Sequence, residues 1–192
     1  MTEREILITG IGGQGVQLAA QVLARAATLE HRAVMYLGLY GGMMRGGNTD
    51  STVVVGDGPI ASPPVVSRAW AAIAMHDDYW PPAEAKLRPG SLVLVNETTF
   101  TTEVRADVVV HRVPATIVAA DLGNALGGAL VMLGAFCATT GIVGAAALVD
   151  GMRASIPSYR TQHIEANARA LHAGWELLPA NEFPAWEVPA HA

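Results

Sequence analysis

Two glycine-rich segments are the parts of this 192-residue chain best suited to hold a ligand. The first, Gly10-Ile11-Gly12-Gly13-Gln14-Gly15, has G-x-G-x-x-G spacing and stands between an apolar run, Ile6 to Thr9, and a helical pattern, Val16 to Leu29. Glycines in that context permit a tight turn and bring a phosphate against free N–H groups at the positive end of a helix. The alternative is that they only let strand and helix pack closely. A dinucleotide site also wants a carboxylate at the end of the second strand, for the ribose. That strand ends Tyr36-Leu37-Gly38, and Glu30 lies before it. The second segment, Gly41 to Asn48, brackets Arg45 with glycine pairs. If the first two strands are parallel, both loops leave the same sheet edge, where open α/β sheets bind ligands, and Arg45 can clamp a phosphate or carboxylate. The candidate cofactor-binding residues are therefore Gly12, Gly13, Gln14, Gly15, Arg45, Gly46, Gly47 and Asn48.

Other chemistries find less support. The six histidines include no HExxH or i, i+4 pair, so no metal site is assigned. His76-Asp77-Asp78 follows a strand end, where a base can sit, although a helix N-cap by either aspartate is the commoner role. There is no G-x-S-x-G elbow. The single cysteine, Cys137, sits in an uncharged helical run and reads as a buried hydrophobe. It permits no internal disulfide and no four-cysteine cluster. No catalytic residue is assigned.

The elements that position these loops follow from the apolar pattern. Short strands are expected at Ile6–Thr9, Ala33–Leu37, Thr52–Val55, Ala71–Met75, Leu92–Val95 and Val108–Val110, with Gly38–Asn48 as a long loop. A helix starting at Pro81 or Pro82 should end at Pro89-Gly90. Continuous apolar strands need cover on both faces, which implies a three-layer α/β/α domain with a mostly parallel sheet. After Pro114 the chain turns helical, with an amphipathic helix from about Ser158 to Leu178. The domain is expected over residues 1–178, with an extended tail over 179–192 that lies along a partner's surface.

Composition narrows the function classes. Hydrophobic residues make up 51% and charged residues 15%, which excludes disorder and points to a permanent partner. Much of the apolar content is alanine, and alanine and the 20 glycines bury little area each, so the core must rely on closely approaching backbones. A net charge of −5 without a basic run argues against nucleic acid. The uncharged stretch Leu122–Val149 is long enough to span a bilayer, but its glycines break it into shorter helices, so no membrane span is expected. The charged N-terminus and lone cysteine suit the cytoplasm.

Taken together, Gly10 to Gly15, the segment Tyr40 to Gly47 ending Met44-Arg45-Gly46-Gly47, and Pro59-Ile60-x-Ser62-Pro63 resemble the gamma subunit of 2-oxoacid:ferredoxin (or other acceptor) oxidoreductases. The resemblance continues at Leu122-Gly123-Asn124, at Val131-Met132-Leu133-Gly134 and at Asn167-x-x-Ala170-x-x-x-Gly174, and spans about residues 4 to 178. It implies oxidative decarboxylation of a 2-oxoacid, usually to an acyl-CoA, by a hetero-oligomer. Alpha, beta and delta-type subunits would hold thiamine diphosphate, its Mg and the 4Fe-4S clusters, with ferredoxin or NAD as electron acceptor. The gamma chain would be structural, inactive alone, and associated with the coenzyme A side of the reaction. This chain departs from the pattern at Gly42-Met43, where a proline or alanine followed by glutamate is common, and at Ala129-Leu130, where asparagine is usual. The alternative is a free-standing NAD(P) enzyme using Gly10–Gly15.

Overall fold

Runs such as Ile6-Leu7-Ile8 and Leu92-Val93-Leu94-Val95 send successive side chains to opposite faces of a strand, so both faces must be covered. In the computed structural model, which describes residues 2–40 and 46–187, these runs lie in the middle of a six-stranded sheet. The first half of the chain forms β1 (Glu3–Ile11), α1 (Val16–Leu29), β2 (Ala33–Tyr40), β3 (Asn48–Gly56) and β4 (Ala69–Ala74). Then follow α2 (Trp80–Glu84), β5 (Leu87–Asn96), β6 (Val109–Val113), α3 (Ala115–Asp121), α4 (Gly128–Thr140) and α5 (Ala145–Ser155). A 3-10 turn, Ser158–His163, leads into α6 (Ile164–Trp175).

The strand order is β2-β3-β1-β4-β5-β6. The pairs β1–β4, β4–β5 and β5–β6 are parallel, and β3 is antiparallel to both its neighbours, so it alone runs against the other five. The mostly parallel α/β sheet and the helical C-terminal part are as expected. One face places Ile6, Ile8, Val53, Ile73, Leu92 and Leu94 against α1, α4, α5 and α6. The other buries Leu7, Val54, Val93 and Val95 under Trp80 of the short α2 and Phe100 of the following loop.

Three local expectations change. β2 runs on through Gly38-Leu39-Tyr40 because β3 pairs with it as far as Tyr40↔Thr49, and a ladder partner outweighs the low strand propensity of one glycine. Pro89-Gly90 does not end a helix; α2 stops at Glu84, and the pair forms a bulge inside β5, where Gly90 has φ +78° and donates to Asp107 O at 2.7 Å. The described part of the tail, up to residue 187, lies against this chain's own α4. The N–H groups of Asn181, Phe183 and Ala185 donate to Ala138 O, Thr139 O and Thr140 O at 2.9, 2.9 and 2.7 Å, supplying carbonyls that the end of α4 leaves without helical partners.

The small-residue composition is realised as close helix crossings. A Cβ on Gly134 of α4 would stand 2.1 Å from Leu171 O, and one on Gly174 of α6 2.0 Å from Val131 O. Gly151 of α5 meets α1 in the same way, its Cβ 2.8 Å from Ala26 N. Every residue of α4 is buried, so the centre of the uncharged stretch is this chain's own core. Among the described residues no helix is long and apolar enough to cross a membrane.

Candidate functional site

The C-terminal ends of the parallel strands, with the start of β3, bring the candidate residues to one sheet edge. Gly10 is the last residue before the turn that must lack a side chain, since a Cβ there would meet Gln14 Oε1 at 2.6 Å and Met75 Cβ at 2.8 Å. That space lets Gln14 fold back, where its Oε1 accepts the Ile11 N–H at 3.0 Å and its Nε2 donates to Met75 O at 3.3 Å. Gly13 and Gly15 take φ of +102° and +83°, a region that side chains disfavour. Gly15 is also the N-cap of α1, which has no side-chain cap and no acid in its first turn. Among the described residues no side chain bonds the first turn's N–H groups.

The second glycine segment joins the first through the backbone, with Gly12 N–H donating to Gly47 O at 2.8 Å. Asn48 opposes Ile11 in the β1–β3 ladder, and its Nδ2 donates to Asp50 Oδ2 at 2.9 Å. Asp50 Oδ1 accepts the Thr9 hydroxyl at 2.6 Å, and Asn48 Oδ1 is buried without a partner. The structure therefore brings together Gly12 to Gly15 with Gly46 to Asn48. Arg45, with Gly41 to Met44, lies outside the described residues.

Clefts open on both sides of the Gly13–Gly15 turn. The inner one, about 160 Å³, lies between Gly13 and Gln14, Met75, Thr99, Thr116 and Leu126. Thr99 donates to Met75 O at 2.5 Å, while Asn96 Nδ2 reaches the hydroxyls of Thr99 and Thr116, each at 2.8 Å. The outer one, about 360 Å³, is bounded by the first turn of α1, Thr49, Leu126 and Arg160. Leu126, 79% exposed, stands between the two. Thr99, Thr116, Leu126 and Arg160 have no sequence spacing that ties them to the glycine loop. Only Leu126 had an indirect signal, in the adjacent Leu122-Gly123-Asn124 motif. Asn124 Nδ2 donates to Asn167 Oδ1 at 3.2 Å, which anchors the turn that carries Leu126 to α6.

The remaining chemical candidates take defined places. The ring and carboxylate atoms of His76, Asp77 and Asp78 come within 4.8 Å of one another. Neither aspartate caps α2, whose N-cap is Tyr79. Asp77 Oδ2 instead accepts the N–H and hydroxyl of Thr101 at 2.9 and 2.8 Å, and those of Thr102 at 3.3 and 3.2 Å. These donors, Thr101's backbone foremost, pull its pKa down to about 2. Cys137 is fully buried, and burial pushes its thiol well above the ordinary range, so neither its number nor its setting suits cluster ligation.

A dinucleotide site fits poorly, and the free-standing NAD(P) reading is corrected on topology. In the doubly wound arrangement the strand carrying the ribose carboxylate lies beside the first strand. Here the antiparallel β3 separates β2 from β1. The end of β2 is therefore two strand spacings away, on the order of 10 Å, from the glycine turn.

Comparison with known proteins agrees with this geometry. The profile of the family described as pyruvate ferredoxin/flavodoxin oxidoreductase matches residues 5–177. The 2-oxoglutarate synthase subunit KorC of Methanocaldococcus jannaschii is 30% identical over 178 residues, covering 91% of this chain and 93% of that protein. The keto/oxoacid ferredoxin oxidoreductase gamma subunit of Geobacter sulfurreducens superposes with a TM-score of 0.80 at 27% identity, over 92% of this chain and 96% of that one. A 2-oxoglutarate:ferredoxin oxidoreductase of Magnetococcus marinus, solved with 2-oxoglutarate, coenzyme A and succinyl-CoA, shares the fold with a TM-score of 0.81 at 16% identity. That likeness covers 96% of this chain and 33% of that one.

Proposed function

Because the chain belongs to the pyruvate ferredoxin/flavodoxin oxidoreductase family, we propose that it acts as the gamma subunit of an enzyme complex that oxidatively decarboxylates a 2-oxoacid to an acyl-CoA. What carries this reading is full-length correspondence. The family match runs from residue 5 to 177 through both glycine segments, and the relatives from M. jannaschii and G. sulfurreducens are covered over 93% and 96% of their own lengths. Partner subunits of alpha, beta and delta type hold thiamine diphosphate, its Mg and the 4Fe-4S clusters, and the complex passes electrons to ferredoxin or NAD. The donor set of this chain agrees with that division of labour, since its one cysteine is locked inside α4.

The chain's own part is to present a preformed edge to the acyl-acceptor side of the reaction. Gly12 to Gly15, Arg45 and Gly46 to Asn48 line the position of coenzyme A. Gln14 holds the turn open by bonding the backbone on both sides of it, at Ile11 and Met75. No proton or electron transfer is assigned to these residues. Their contribution is binding and orientation.

Affinity purification of the tagged chain from its own host tests the reading. Partner subunits and the broad visible absorption of iron–sulfur clusters should elute with it, and oxidation of a 2-oxoacid should depend on coenzyme A. A chain that elutes alone and colourless from cells expressing it at natural levels would overturn the assignment.

A further inference from the structure

The pole opposite the glycine edge, where the parallel strands begin, gathers Arg4, Arg68, Lys86 and Arg88 on a chain whose net charge is −5. Arg68 and Lys86 lead into β4 and β5. The first residues of those strands, Ala69 and Leu87, are paired, and Ala69 N–H donates to Lys86 O at 2.6 Å. The two cations therefore enter neighbouring strands, about 5 Å apart at the backbone. The other two are committed. Arg88 Nη2 lies 3.6 Å from Glu5 Oε2, and Arg4 donates from Nε to Ala185 O while stacking on Trp70. The acids around this pole are committed as well. Glu3 accepts the N–H groups of Ala61 and Ser62 at 2.7 and 3.2 Å, Asp57 that of Thr2 at 2.7 Å, and Glu84 that of Arg105 at 2.9 Å. Asp50, which shares a small cavity with Lys86, is held by Thr9 and Asn48. Among the described residues neither Arg68 nor Lys86 forms an ion pair.

The segment between β3 and β4 adds an apolar contact. It carries Pro59-Ile60-x-Ser62-Pro63, a motif to which the glycine edge gives no role. Glu3 ties its first half to β1, and Val66, 7% exposed, ties its end into the core. Between these anchors Val65 follows Pro64, whose ring restricts the backbone, and stands 72% exposed. Val65 bounds a pocket of about 150 Å³ together with Pro63, Ser67, Arg68 and Glu5. An aliphatic side chain held out on a fixed backbone, beside two cations without counter-ions, suits a protein surface that brings carboxylates. We propose that this pole is the docking surface for an acidic segment of a partner subunit, which lays an aliphatic side chain on Val65 and sets carboxylates against Arg68 and Lys86. This assignment rests on the reading of the chain as a subunit of an oxidoreductase complex. It places a subunit contact at the opposite end of the sheet from the coenzyme A edge.

Lys86 is the only lysine of the chain, so its amine reports on this surface alone. In the complex purified from its own host, a carbodiimide should condense Lys86 Nζ with a carboxylate in contact, with loss of water. Peptide mass spectrometry should then find an aspartate or glutamate of another subunit joined at Lys86, and Lys86→Arg should keep the complex and lose that adduct. Arg68→Glu combined with Lys86→Glu should weaken retention of the partner about tenfold or more at low ionic strength, with the gap narrowing in high salt. Arg68 is exposed and Lys86 partly so, and a thermal melt matching that of the parent chain establishes that the double variant folds. Partners that co-elute without an adduct at Lys86, adducts confined to second copies of this chain, or equal retention by the folded double variant would overturn the docking surface and leave the subunit reading standing. A chain that elutes alone would overturn both.

Discussion

Asp77 concentrates four donors on one carboxylate oxygen, and this decides what the residue contributes. Its pKa is held at about 2, so its stabilising effect is complete above the ordinary carboxylate value near 4 and is lost as pH falls from there through 2. Asp77→Asn should therefore cost on the order of 1–2 kcal/mol at neutral pH and flatten the acid limb of the stability curve. Denaturant midpoints measured between pH 2 and 7 check this, and parallel curves for both proteins would refute it. The residue was visible in the sequence as a candidate base or helix cap, yet its partners lie 24 and 25 positions further on, in a loop that no motif marks. The glycine turn was legible for the opposite reason. Much of its constraint is local, since Gly10 leaves the space into which Gln14 folds to bond the Ile11 N–H, all within five residues. Arg160 reaches the same cleft from the far end of the chain, and only folding creates that proximity.

At the level of elements, the motifs Val131-Met132-Leu133-Gly134 and Asn167-x-x-Ala170-x-x-x-Gly174 turn out to be the two sides of one helix crossing. Each glycine admits the backbone of the other helix, at Leu171 and Val131 respectively. Gly174→Ala should destabilise the chain by about 3 kcal/mol or more, because rigid carbonyls and not flexible side chains stand in the way. Gly128→Ala is the contrasting case. Its new methyl would meet Met75 Cε at 3.5 Å, an ordinary contact, and helix propensity should make the change neutral or stabilising by up to about 1 kcal/mol. Chemical denaturation of both variants gives the comparison, and similar midpoints would contradict it. The element pattern also explains where the boundaries moved. β2 lengthened and Pro89-Gly90 became a bulge because a neighbouring strand, absent from any local window, supplied or withheld hydrogen bonds.

Across the whole molecule the C-terminal segment closes the fold. Arg4 Nε donates to Ala185 O at 2.6 Å and Trp186 Nε1 to Ile142 O at 3.1 Å, while Phe183 packs on Trp70 at 5.4 Å between ring centroids. Truncation after Leu178 should strip the end of α4 of its donors and uncover Trp70, at a cost of about 3 kcal/mol or more. A thermal melt of the shortened chain should show a lower, less cooperative transition, and an unchanged Tm would mean that the strap adds nothing. From the sequence alone came the α/β class, the alanine and glycine packing, the glycine turn and the family resemblance, all of which rest on local spacing or composition. The tertiary structure decided the insertion of β3 between β2 and β1, which moves β2 away from any ribose site. It also decided the return of the tail onto α4, and the gathering of Thr49, Leu126 and Arg160 around the start of α1. Those are contacts between residues far apart in the chain, and their free energy exists only once the sheet and helices have packed.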